Sequence, residues 1–100
     1  MRDGGDTTTT AERASADELL AEFVSGGRDE AFAEVVRRYA GMVFAVCLRV
    51  AGNPHDAEDA TQATFLTLAV QCQSGKSVRR LGPWLRQVAT RAALDVRRAR

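Results

Sequence analysis

Between Phe32 and Val50 the apolar residues return every three or four positions, at Phe32, Val35, Val36, Tyr39, Val43, Val46, Cys47 and Val50. That spacing lays one stripe along a helix predicted to run from about Asp29 to Val50. Phe44 and Leu48 fall on the opposite side. The second half of this helix is therefore either wedged between neighbours or carries a partner surface. Gly52-Asn53-Pro54 ends it, with glycine as the stop, asparagine as the N-cap of the next helix and proline at that helix's first position. The next helix runs from about Pro54 to Gln73 and opens with Asp56, Glu58 and Asp59, which suit its positive dipole end. Ala57, Thr61, Thr64, Phe65, Leu68 and Cys72 form its core stripe. Asp59, Gln62, Leu66, Val70 and Gln73 occupy another face. Leu66 and Val70, apolar among polar groups, suggest either a partner patch or two residues packed beneath a chain terminus.

A short helix of about Asp17 to Ser25 precedes these two. Ser15 and Glu18 stand at capping-box spacing, and Gly26-Gly27 stops the helix. Ahead of it, residues 1–16 hold Gly4-Gly5 and a threonine run with little that could be buried, so they read as a disordered tail. Ser74 to Gly82 is expected to be a loop carrying Lys76, Arg79 and Arg80. Pro83 then opens a last helix that continues to Arg100. On a helical wheel its core face is Trp84, Leu85, Val88, Ala89, Ala92, Val96 and Ala99. Arg86, Thr90 and Arg97 line one polar strip, and Gln87, Arg91 and Arg98 line the adjacent one. Asp95 lies within reach of both Arg91 and Arg98. The expected architecture is all-α, a compact bundle of about four helices spanning residues 17–100.

Composition sharpens the last quarter of the chain. Net charge is only +1 over 100 residues. Yet residues 1–75 carry six arginines against twelve acids, whereas residues 76–100 carry eight basic residues against Asp95 alone. Such asymmetry points to two surfaces with different partners. Two adjacent strips of Arg and Gln can pair with phosphates and reach base edges, and a basic loop before them extends the footprint. Trp84, where loop meets helix, is either a core residue or a platform for an unpaired base. Charge and periodicity alone leave open duplex or single strand, and DNA or RNA.

Other chemistries find little support. Gly75-Lys76-Ser77 looks like the end of a phosphate loop, but Val70 stands where that motif needs glycine, and no strand precedes it. No Ser/His/Asp grouping can be assembled, and capping explains the Asp56/Asp59 pair, so no enzyme is expected. Cys47 and Cys72 form no CxxC and no Cys/His cluster, and the lone His55 cannot anchor a metal site. Two buried thiols in a reducing cytoplasm are expected, with no metal and no cofactor. No stretch approaches the ~20 apolar residues of a membrane span, and residues 1–16 have no apolar run of the secretory kind. The expected location is the cytoplasm, without membrane insertion.

The run from Asp56 to Leu66, Asp-Ala-Glu-Asp-Ala-Thr-Gln-Ala-Thr-Phe-Leu, resembles a signature of bacterial sigma factors. Gly82-Pro83-Trp84-Leu85-Arg86-Gln87-Val88-Ala89 resembles the start of their promoter-reading helix. The long helix with Tyr39 and the Gly52-Asn53-Pro54 break fits the same pattern. Together, from about Asp17 to Arg100, these resemble region 2 of the extracytoplasmic-function (ECF) type of the sigma-70 family. The resemblance implies a transcription initiation factor domain that docks on the clamp helices of the RNA polymerase β′ subunit. It also implies recognition and melting of the promoter −10 element. By position, Asp59, Gln62 and Leu66 would meet core RNA polymerase, with Asp56 beside them at the helix start. The loop from Ser74 to Gly82 would capture a flipped base of the non-template strand, its unstacking cost offset by a pocket and by phosphate contacts. The basic residues of the last helix would hold the DNA backbone. An anti-sigma factor is a further partner the resemblance admits. Ala63 replaces an acid common after the glutamine, and Arg91 replaces an asparagine common in the helix, so base preference does not carry over unchanged. The −35-reading domain such factors usually carry has no counterpart in these 100 residues. Two other readings fit the residues: a general helical nucleic-acid-binding module, and a protein-interaction domain whose acidic front meets a basic partner.

Overall fold

A computed structural model describes residues 15–26, 29–76 and 78–100. The leader expected as a tail lies outside the described residues except for Ser15 and Ala16. Four helices are described: α1 (Ala16–Gly26), α2 (Asp29–Ala51), α3 (Pro54–Gln73) and α4 (Leu81–Ala99). No strand is present among the described residues. Helices α2, α3 and α4 pack mutually, and α1 lies mainly against α2.

Each helix boundary has a local cause. The Ser15 hydroxyl accepts from the Glu18 amide at 3.1 Å, while the Glu18 carboxylate accepts from the Ser15 amide at 2.9 Å. This reciprocal pair satisfies two donors that an α-helix leaves orphaned at its start. Asn53 caps α3 in the same way: its side-chain oxygen accepts from the Asp56 amide at 2.9 Å, with Pro54 just inside the helix. Gly52, at φ +91°, makes the left-handed turn between α2 and α3 and donates its amide to the Leu48 carbonyl at 2.9 Å.

The start of α4 differs from the sequence expectation. The helix begins at Leu81, two residues before Pro83, and the preceding loop is correspondingly shorter. Leu81 is only 1% exposed, and its burial draws the first turn onto the core. Pro83 sits inside that first turn, where a missing N–H leaves no helical bond unmade.

The core takes Leu20 from α1, Val35, Val43 and Cys47 from α2, Thr64 and Leu68 from α3, and Leu81 and Leu85 from α4. Each fully buried leucine contributes roughly 1.5–3 kcal/mol of transfer free energy. Small residues let the helices approach one another: Ala57, Ala60, Ala89 and Ala93 are all fully buried. The wheel placed Ala57 and Ala89 correctly but left out Ala60, Leu81 and Ala93. It also placed Ala99 in the core, whereas Ala99 lies exposed at the last turn of α4. Cys47 joins three helices. Its thiol donates to the Ala89 carbonyl at 3.7 Å and lies beside Thr61 and Thr64, whose hydroxyls donate to the Ala57 and Ala60 carbonyls. Phe23 of α1 meets Phe32 of α2 with ring centroids 4.9 Å apart, fastening the short helix to the bundle.

Candidate functional site

Helix α4 buries Leu81, Leu85, Ala89 and Ala93 on one side, which leaves its polar strips facing solvent. Two open hollows run along that exposed side. One, of about 440 Å³, is lined by Gly82, Pro83, Arg86, Gln87 and Thr90. The next, of about 410 Å³, is lined by Gln87, Thr90, Arg91, Leu94, Asp95 and Arg98. They share Gln87 and Thr90 and so form one track along nearly the whole helix. The two strips read from the wheel are thus neighbours on a continuous surface. Arg86, Gln87, Arg91 and Arg98 are exposed. The Thr90 hydroxyl is turned to its own helix, donating to the Arg86 carbonyl at 2.9 Å. Trp84 is half-buried and packs against the core cluster, which fits the core reading for most of the ring.

The loop before α4 presents Lys76, Arg79 and Arg80 to solvent and is pinned by buried Val78. Arg80 stands at the N-cap of α4 with left-handed backbone angles, φ 56° and ψ 60°, and no side chain of its own caps the helix. Its amide donates instead to the Asp17 carboxylate of α1 at 3.4 Å. An acid from α1 therefore lies at the positive end of the helix. Tyr39 of α2 is the close neighbour of Gly82, 3.8 Å from where a Cβ would sit.

Two residues expected at a partner surface are engaged elsewhere. The Arg97 guanidinium donates to the Val50 carbonyl at 3.1 Å, and Arg100 donates to the Ala51 carbonyl at 2.8 Å. Both satisfy carbonyls at the end of α2 that have no helical donor. Arg100 also pairs with Asp56 at 3.1 Å. Asp56, with its side chain only 16% exposed, further accepts from the Asn53 side chain at 3.0 Å. Arg97 and Asp56 thus help fasten the end of α4 to the α2–α3 corner. No signal in the wheel distinguished them from their neighbours, because the wheel gives direction and not reach.

The other face of α3 is open. Leu66 and Val70 are 65% and 63% exposed, so no described residue covers them and they form an apolar patch. Gln62 and Gln73 beside them are exposed, and Asp59 stands 3.9 Å from His55 Nε2 with both side chains largely in solvent. On α2, Phe44 packs against the core while Leu48 is 36% exposed, so the two residues opposite the core stripe divide between packing and surface. Sequence reasoning missed Glu34, a buried carboxylate on α2 paired with Arg37 and Arg38.

The cysteines are free and buried. Burial pushes the Cys47 thiol up, with the neighbouring Thr61 and Thr64 hydroxyls opposing it in part, and burial alone pushes Cys72 up. Both are therefore neutral packing groups and not nucleophiles. No cluster of His, Cys, Asp and Glu able to hold a metal occurs among the described residues. No described helix is long and apolar enough to cross a membrane.

Comparison with known proteins matches the sigma-70 region 2 family model to residues 35–100. That span holds α2 from Val35 onward and the whole of α3 and α4. The ECF RNA polymerase sigma factor SigW of Bacillus subtilis is 35% identical over 72 residues, covering 72% of this chain and 38% of the relative. The ECF RNA polymerase sigma factor SigE of Mycolicibacterium smegmatis is 39% identical over 67 residues, covering 67% of this chain and 26% of the relative. The chain therefore spans well under half the length of these relatives. No solved structure matches it significantly.

Proposed function

The chain belongs to the sigma-70 region 2 family, and from that premise we propose that it is the polymerase- and promoter-binding domain of an ECF-type initiation factor. The observation that carries this reading is the presence of two solvent-facing surfaces of different chemistry within the matched span. One is the apolar and acidic face of α3, where Leu66 and Val70 stand exposed beside Asp59 and Gln62. The other is the basic track of α4.

The chemistry of each suits its partner. Leu66 and Val70 supply apolar area that association with core RNA polymerase would remove from water, and Asp59 and Gln62 supply polar contacts at the rim. Arg86, Arg91 and Arg98, with Lys76, Arg79 and Arg80 in the loop, supply positive charge along a path for a phosphate backbone. Gln87 offers an amide able to reach base edges of the −10 element. Held on the polymerase, this track would bind the opened non-template strand and so favour melting by mass action. The domain performs no covalent step and works as a cytoplasmic factor. The exposed α3 face is also a surface that an anti-sigma factor could cover.

The test is a titration of the chain against core RNA polymerase and against single-stranded −10 oligonucleotides of both strands. Leu66→Ala and Asp59→Ala are expected to weaken polymerase binding at least tenfold without changing DNA affinity. Arg86→Ala and Arg91→Ala are expected to do the reverse. Equal affinity for every strand and sequence together with no polymerase binding would leave only a general nucleic-acid-binding module.

A further inference from the structure

Asp17 is an acid in the first turn of α1, and its own helix has little use for it. The reciprocal bonds between Ser15 and Glu18 already cap the start of α1. The Asp17 carboxylate accepts instead from the Arg80 amide at 3.4 Å, across 63 residues of sequence. That amide stands at the start of α4, a helix with no acid in its first turn and no side-chain cap of its own. Lys76, Arg79 and Arg80 are exposed in the same loop. The carboxylate therefore sits where a helix dipole, a backbone donor and basic side chains all favour an anion. It comes from α1, outside the family span of residues 35–100. The contact is also long for an N–H···O bond and exposed to solvent, so it is readily exchanged.

We propose that Asp17 is an autoinhibitory latch, whose carboxylate holds in the free chain the seat that a DNA phosphate takes at the start of α4. This rests on the reading that the loop and α4 bind DNA. A phosphodiester carries a negative charge like that of the carboxylate, and the Arg80 amide has a single proton to give, so the two anions exclude each other. A strand that enters the loop must first release Asp17. Helix α1 stays fastened to α2 through Phe23 and Phe32, so the acid remains close and returns when the strand leaves. The latch lowers affinity for every sequence alike, because it competes with the backbone and not with a base.

The experiment titrates the full chain at low salt with a randomised single-stranded DNA pool, whose mean affinity reports the backbone. It compares the wild type with Asp17→Ala and with Glu22→Ala. Glu22 is an exposed acid of the same helix, and its removal leaves the latch in place. Asp17→Ala is expected to tighten binding by about two- to fivefold. Glu22→Ala should tighten it less, through its screened charge alone. In amide NMR spectra the Arg80 resonance should move upfield in free Asp17→Ala and return downfield as DNA fills the seat. Asp17→Asn removes the charge but keeps an acceptor, so it is the variant to read if the alanine form has a lowered melting temperature, and it too should tighten binding. Weaker binding by both variants would make Asp17 a support for the loop and overturn the proposal. Equal gains from Asp17→Ala and Glu22→Ala, or an Arg80 amide that does not respond to DNA, would overturn it as well. A wild-type chain that does not bind the pool overturns instead the DNA reading on which the latch rests.

Discussion

Cys47 illustrates how one side chain can tie the bundle together without taking part in its function. Its thiol touches the Ala89 carbonyl and two threonines of α3, and burial raises its pKa. A thiol whose folded pKa lies above its unfolded value contributes stability that is full below the unfolded pKa and is lost as pH rises toward the folded one. Melting temperature should therefore fall as pH climbs past ~8.5, and the fall should shrink in a Cys47→Ala, Cys72→Ala double variant. Neither thiol should react with iodoacetamide in the native chain at pH 8, and both should react in denaturant. A fast native reaction at Cys47 would mean that the contact among three helices is open in solution. The burial of both cysteines was legible from their helical positions. The contacts of Cys47 were not, because they depend on how α2, α3 and α4 approach one another.

At the level of elements, the α2–α3 break was fully legible. Glycine, asparagine and proline each act through local backbone chemistry that needs no tertiary information. Asn53→Ala should cost about 1 kcal/mol in chemical denaturation, the usual worth of an N-cap, plus whatever is lost by freeing Asp56. The loop before α4 was legible in its charge but not in its end point. Its last residue was misplaced because buried Leu81 extends the helix backwards, and burial is a tertiary fact. Arg80 bears the local consequence, a left-handed conformation that side chains adopt at a cost of roughly 1 kcal/mol. Arg80→Gly should therefore stabilise the fold by up to ~1 kcal/mol while weakening DNA binding by removing a basic group. Glycine keeps the backbone amide that donates to Asp17, so a variant that is less stable would show that the arginine side chain, and not relief of backbone strain, governs this turn.

For the whole molecule, the arginines of the final turns divide into two jobs that charge counting could not separate. Arg91 and Arg98 line the open track, whereas Arg97 and Arg100 close the end of α2 and reach Asp56. The division follows from α4 running alongside α2 in the same direction, from Gly82 beside Tyr39 to Arg100 at Ala51, which brings only some of the last-turn side chains within reach of free carbonyls. Salt dependence should separate them. Each arginine that pairs with a phosphate of single-stranded DNA adds about 0.7 to the magnitude of the slope of log K against log salt. Arg91→Ala should lower that slope by about this amount and leave the melting temperature nearly unchanged. Arg100→Ala should leave the slope intact but destabilise the fold by about 1–2 kcal/mol, through the lost bond to Ala51 and the unpaired, half-buried Asp56. Arg97→Ala should resemble Arg100→Ala more than Arg91→Ala. If it instead lowers the slope like Arg91→Ala, the Val50 contact yields to phosphate when DNA arrives, and the DNA track extends to the end of the helix.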